Sequence, residues 1–143
     1  MIHDTGAILS GDIGRFDDAG YLHLIGRRKD IIITGGENVF PAEVEQALGG
    51  LPNVRDLAVY GVADPTWGER IELALSVDDG APTPTLAEVR RYARHRLASY
   101  KLPRSLTVLD DLPLTSNLKI DKRALAATTD LPREVWPDAG NAT

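Results

Sequence analysis

Two apolar runs in the middle of the chain, VRDLAVYGV at 54–62 and IELALSVD at 71–78, limit the possible folds most. Both read as strands, with the polar segment ADPTWGER as the loop between them. Helical signals flank them. In PTPTLAEVRRYARHRLASY, Thr85 and Glu88 have the spacing of a capping box, with Pro84 just outside. Leu86, Val89, Ala93, Leu97 and Tyr100 recur at three- and four-residue steps and are expected on the core face. Arg90, Arg91, Arg94 and Arg96 fall largely on the other side, a solvated face. In FPAEVEQALGGL, Pro41 suits the first helical position, Glu43 and Glu45 favour its positive end, and Gly49-Gly50 stop it. Val44, Ala47, Leu48 and Leu51 line one face of that helix.

Residues 12–25, DIGRFDDAGYLHLI, read as two short strands joined by the turn DDAG, with His23 on the exposed side. DIIIT at 30–34 is a short buried strand that GGEN then breaks. KLPRSLTVLD is a turn into a strand at 104–109, and Asp121 caps a last short helix, KRALAA. After Asp130 the chain reads as a loosely held tail. The expected fold is a small α+β domain with an N-terminal β-hairpin and a three-stranded sheet packed by helices.

Several function classes drop out. At 143 residues the chain fits one domain with a tail and folds without a disulfide or metal. The absence of cysteine removes thiolate nucleophiles and thiolate metal sites and fits a reducing cytosol, so a cytoplasmic location is expected. No apolar run reaches transmembrane length, and the net charge of −5 with dispersed basic residues argues against nucleic acid. His3, His23 and His95 lack ligand spacing, so no metal site is expected. No serine lies in a nucleophile elbow, and there is no Gly-x-x-x-x-Gly-Lys phosphate loop. One feature stands out against this. Only four of the 16 Lys and Arg residues are lysines: Lys29, Lys101, Lys119 and Lys122. Where arginine is the default cation, Lys119 in LPLTSNLKIDKRAL suggests a place that wants a compact, flexible point charge.

Three patterns in order resemble the C-terminal domain of the AMP-forming acyl-CoA synthetases, of the adenylate-forming ligase superfamily. They are SGDIGRFDDAGYLHLIGRRKDIIITGGENVFPAEVE, YGVADPTWGERIELALSV and LASYKLPRSLTVLDDLPLTSNLKIDKRAL, spanning residues 10 to 125. The loop TGGENVFPAEVE is more like fatty-acid or aryl-acid CoA ligases than peptide-synthetase adenylation domains. The resemblance implies a two-step reaction. A carboxylic acid and ATP give an acyl-adenylate and pyrophosphate; the small domain then rotates, and CoA takes the acyl group, releasing AMP. Mg²⁺ is expected with ATP, with no ligand in this chain. The partner is a large N-terminal ligase domain carrying the acid and ATP-phosphate sites.

The same resemblance implies roles for single residues. Lys119 matches the adenylation lysine, a mobile cation that bridges carboxylate and phosphate oxygens. Lys29 matches the hinge. Asp12 matches the aspartate that holds the AMP ribose, and Arg27 an arginine that contacts the nucleotide. Gly35, Gly36 and Glu37 match the loop facing the site during thioester formation. Trp67 matches a position near the pantetheine tunnel, and Tyr100, Lys101 and Arg104 match a patch that meets the CoA nucleotide. The family usually has Gly immediately before the lysine, where this chain has Leu118 after Asn117. A left-handed turn one residue earlier, at Asn117, or a different loop geometry is therefore expected. Residues 1–11 read as a linker remnant, 12–129 as the mobile domain and 130–143 as the tail. On this basis the chain reads as an excised ligase domain, inactive alone. The competing reading is a free-standing, non-catalytic module that binds CoA or a carrier protein.

Overall fold

The computed structural model describes residues 10–128 and 130–137. Positions 1–9 of the expected linker, position 129 and tail positions 138–143 lie outside the described residues, His3 among them. The strands are β1 (Asp12–Phe16), β2 (Leu22–Arg27), β3 (Ile32–Thr34), β4 (Glu37–Val39), β5 (Val54–Asp64), β6 (Gly68–Val77), β7 (Ser105–Val108) and β8 (Glu134–Val135). The helices are α1 (Pro41–Leu48), α2 (Leu86–Ala93) and α3 (Lys122–Ala127), with 3-10 turns at Arg28–Asp30 and Ser99–Lys101.

The expected hairpin forms as a separate two-stranded sheet, β1–β2. The Asp17 carboxylate shapes its turn by accepting from the backbone N–H of Ala19 and Tyr21. The three expected strands form the centre of the larger sheet, where β6 pairs β5 antiparallel and β7 parallel. Three short strands extend it to six: β3 and β4 on one side, β8 beyond β7. The β5–β6 loop is shorter than ADPTWGER. The Asp64 carboxylate accepts from Thr66 and Trp67 N–H, which tightens the turn and lets Glu69 and Arg70 pair within β6.

Strand β6 is buried without a break from Ile71 to Ser76 because it is covered on both faces. On one face Ile71, Leu73 and Leu75 join Val59 against Val44 and Leu48 of α1 and Leu86, Val89 and Ala93 of α2. On the other, Ala58, Tyr60 and Ala74 pack with Leu112 and with Leu125 of α3. Glu72 also lies on this strand and is 1% exposed. It is held by Arg70 Nη2 at 2.6 Å, Arg133 Nε at 3.0 Å and the Tyr60 hydroxyl at 3.3 Å. Burial and the adjacent Glu72 charge push the Tyr60 phenol up to about 12. A buried carboxylate needs such partners, because an unpaired one costs several kcal/mol.

Several expectations change in detail. GGEN does not end the 30–34 strand in a loop; Gly35 and Gly36 turn it back into β4. Within that strand Ile32 and Thr34 are buried, whereas Ile33 faces out. Helix α2 ends at Ala93 rather than continuing to Tyr100. Leu97 stays buried because its N–H still bonds Ala93 O. Ala98 and Leu102, the residue before Pro103, are both extended, so the helical phase is lost and Tyr100 is exposed. Arg90 is not on a solvated face. Its Nη1 donates to Pro103 O at 2.6 Å, and its guanidinium lies 4.2 Å from the Trp136 ring. Burial, and then the nearby Arg104 charge, pull the Arg90 pKa below its ordinary value. Trp136 reaches it because part of the expected tail pairs with the sheet: Trp136 N–H bonds Arg104 O, and Glu134 accepts from Leu86 N–H.

Candidate functional site

Three turns from distant parts of the chain meet at one end of the larger sheet. The β3–β4 turn is a two-residue hairpin with positive φ at both Gly35 (58°) and Gly36 (83°). Only such a turn matches the twist of the strands it joins, and glycine adopts it without strain. Gly35 N–H bonds Trp67 O at 2.8 Å, so this turn rests on the β5–β6 turn. A Cβ on Gly35 would come within 3.2 Å of the Trp67 ring. The Arg104 guanidinium covers the indole at 3.7 Å from its centroid, and Arg104 N–H is fixed to Ile71 O. Gly35, Trp67 and Arg104 thus come together as a stacked group, with Glu37 exposed on β4 just beyond the turn. The result is a half-buried aromatic wall under a cation.

Tyr100 and Lys101 lie on the 3-10 turn that leads into β7. Lys101 Nζ is 5.7 Å from the Tyr100 ring centroid. It is also bound by both oxygens of Glu43 on α1, at 2.6 and 2.7 Å. The sequence reading missed Glu43. Nothing in its helix-start position, which the positive end of α1 already explains, pointed to a partner 58 residues away.

Lys119 sits on a different hairpin. Leu114 and Ile120 are bridged, and Thr115 N–H bonds Lys119 O at 2.7 Å. Leu118 N–H returns to Thr115 O at 2.9 Å, which closes a tight loop over Ser116 and Asn117. The left-handed residue is Leu118 itself, with φ of 58°, so the first of the two expected alternatives, a left-handed Asn117, does not hold. This is the bulge position of a three-residue hairpin loop, where glycine is usual. A leucine there costs about 1–2 kcal/mol. Lys119 is exposed, and among the described residues its Nζ has no ion pair or hydrogen bond. By contrast Lys101 and Lys122 are paired, Lys122 with Glu45 at 2.5 Å.

Asp12 and Arg27 form a third group. They are register partners across β1–β2, with Arg27 Nε 3.3 Å from Asp12 Oδ1. Both side chains are partly open to solvent. Lys29 follows in the 3-10 turn that links this hairpin to β3, where Arg28 N–H bonds Gly11 O at 2.9 Å. Lys29 is exposed, without an ion pair among the described residues. Among the described residues no group of three His, Asp or Glu side chains could hold a metal ion. No described helix is long and apolar enough to cross a membrane.

A β-hairpin, a short connector and an α+β body that presents an unpaired lysine on a hairpin tip define a recognisable class. Residues 43–119 match the family model of the AMP-binding enzyme C-terminal domain, and the chain belongs to that family. It is 42% identical over 122 residues to a 2-succinylbenzoate–CoA ligase of Bacillus licheniformis, a match that covers 85% of this chain and 25% of the relative. It is 43% identical over 122 residues to the long-chain-fatty-acid–CoA ligase FadD13 of Mycobacterium tuberculosis, covering 85% and 24%. Among solved structures, the o-succinylbenzoate CoA synthetase of Bacillus subtilis, in complex with its acyl-adenylate intermediate, superposes with a TM-score of 0.81 at 34% identity. That match covers 92% of this chain and 26% of the other. The chain therefore spans about a quarter of the length of the relatives it matches.

Proposed function

We propose that this chain is the mobile C-terminal domain of an AMP-forming acyl-CoA ligase and that it supplies Lys119 to the adenylation step. In that step a carboxylate oxygen attacks the α-phosphorus of ATP and pyrophosphate leaves. The reacting groups are both anionic, and a cation between them lowers the barrier most where charge builds up. In the second step the CoA sulfur attacks the acyl carbon, its thiol proton is lost and AMP leaves. The Gly35–Trp67–Arg104 wall with Tyr100 would then border the CoA arm, and Asp12 and Arg27 the ribose and phosphate of the nucleotide. A turn about Lys29 exchanges the two faces. Because Asp12 and Arg27 precede Lys29, this reading moves the start of the mobile body from residue 12 to just after the turn at Asp30, and leaves their hairpin with the larger partner domain.

The observation that carries the reading is Lys119, an unpaired lysine held by its backbone at a hairpin tip. The acid is a carboxylic acid of the aryl or fatty class. The near-equal identity to a succinylbenzoate ligase and a long-chain-fatty-acid ligase means that this domain does not choose between them. A role in lipid metabolism and a cytoplasmic setting fit the fatty-acid version of this proposal.

The test is Lys119→Ala in the full-length ligase that carries this domain. Pyrophosphate release should fall by about two to three orders of magnitude, the usual loss for one charge-stabilising donor. Thioester formation from supplied acyl-adenylate should be nearly spared. An equal fall in both half-reactions would sink the delivered-lysine role.

A further inference from the structure

Leucine is the wrong residue for position 118 on local grounds alone, in two independent ways. Its φ of 58° lies in the left-handed region, shared among the described non-glycine residues only by Asn53. Its side chain is also 80% exposed, the highest value among the exposed large hydrophobic side chains described. The loop does not need it. Thr115 closes the turn with bonds to Lys119 O and from Leu118 N–H, and its hydroxyl accepts from Lys119 N–H at 3.3 Å. All of these are made by backbone groups and Thr115, so a glycine at 118 would keep them and remove the strain.

We propose that Leu118 is a positioning residue for Lys119. Its side chain seats against an apolar wall of the larger domain, at the mouth of the site that Lys119 enters. The inference rests on the ligase reading above. If Lys119 is carried from solvent into an adenylation site, the neighbouring Cα, about 3.8 Å away, is carried to the same surface. An exposed leucine then becomes buried. Leu114, 55% exposed and bridged to Ile120 on the same hairpin, gives the tip a second apolar group. The occupant is the larger domain: the chain spans only about a quarter of the relatives' length, and on the ligase reading the site that Lys119 serves lies in the remainder. Seating one leucine is enough to shift the docking equilibrium about tenfold.

The experiment compares Leu118→Gly, Leu118→Asn and Leu118→Met in the full-length ligase, with Lys119→Ala beside them. Pyrophosphate release and thioester formation from supplied acyl-adenylate are measured separately. Leu118→Gly and Leu118→Asn, which accept the left-handed backbone but lack the apolar side chain, should slow pyrophosphate release about tenfold. Leu118→Met should restore it to within about twofold, and thioester formation should stay within about twofold in all three. The melting temperature of Leu118→Gly should not fall, because no intradomain packing is lost. Wild-type pyrophosphate release by Leu118→Gly would overturn the proposal, and so would equal losses in both half-reactions. Failure of the ligase reading looks different: Lys119→Ala would release pyrophosphate as fast as wild type.

Discussion

The Arg104 guanidinium lies 3.7 Å from the centroid of the Trp67 ring, and Gly35 approaches the same indole from a separate turn. Three segments far apart in sequence thus share one aromatic side chain. The contact predicts different costs for two neighbouring glycines. Both have positive φ, so alanine at either should destabilise the domain by about 1–2 kcal/mol. Only at Gly35 would the new Cβ meet anything, the Trp67 ring at 3.2 Å; at Gly36 nothing lies within 4 Å. Gly35→Ala should therefore also disturb the stack under Arg104, seen as a shift in Trp67 fluorescence that Gly36→Ala does not produce. In the full-length ligase Gly35→Ala should raise the KM for CoA several-fold more than that for ATP. Identical fluorescence and KM values for the two variants would remove Trp67 from the proposed CoA wall.

The start of α2 makes a pH-dependent prediction. Thr85 and Glu88 form a reciprocal capping box, with Glu88 Oε2 accepting from Thr85 N–H at 2.8 Å and from the Thr85 hydroxyl at 2.9 Å. Bonds from the Thr85 backbone, and then from its hydroxyl, hold the Glu88 carboxyl below its ordinary value of 4.5. A lowered carboxylate pKa means that its contribution is complete above the unfolded value and is lost as pH falls through the folded one. Urea midpoints of wild type and Glu88→Gln should therefore differ at pH 7, and the gap should begin to close as pH falls below the ordinary value of 4.5 and continue to close on further acidification. A gap that widened on acidification would contradict the assignment.

The helix starts were legible because their signals are local. Pro41, Thr85, Glu88 and Asp121 all act within one turn, and each begins a helix where the sequence puts it. The strands whose partners are distant were harder. Nothing within Glu37–Val39 or Glu134–Val135 marks a strand; the first depends on a Gly-Gly turn, the second on β7 for its pairing. The same holds at the site. Gly35, Trp67 and Arg104 could be named from the family pattern, but their stacking depends on where two turns meet. The reach of Glu43 to Lys101 and the left-handed Leu118 are tertiary facts. Residue type alone pointed away from the second, since leucine disfavours that backbone.

The last prediction concerns the hairpin that precedes Lys29. Among the described residues strands β1 and β2 pair only with each other, and Phe16, Tyr21, Leu22 and Leu24 are all more than half exposed. Gly26 does approach the Phe40 ring, which would lie 3.2 Å from a Cβ there. A two-stranded sheet with so little cover is marginal in water. Strand β6, by contrast, is paired on both edges and covered on both faces. Hydrogen exchange on this chain should accordingly show two populations. Amides of residues 13–16 and 22–27 should exchange through local opening, on the order of a hundredfold or more faster than those of Val59, Leu73 and Leu75. In the full-length ligase the hairpin should become protected, while residues 28–30 stay fast. Such a pattern would put the boundary of the moving body after β2. Equal protection of hairpin and sheet in this chain would mean that the two form one cooperative unit, and the pivot at Lys29 would lose its physical basis.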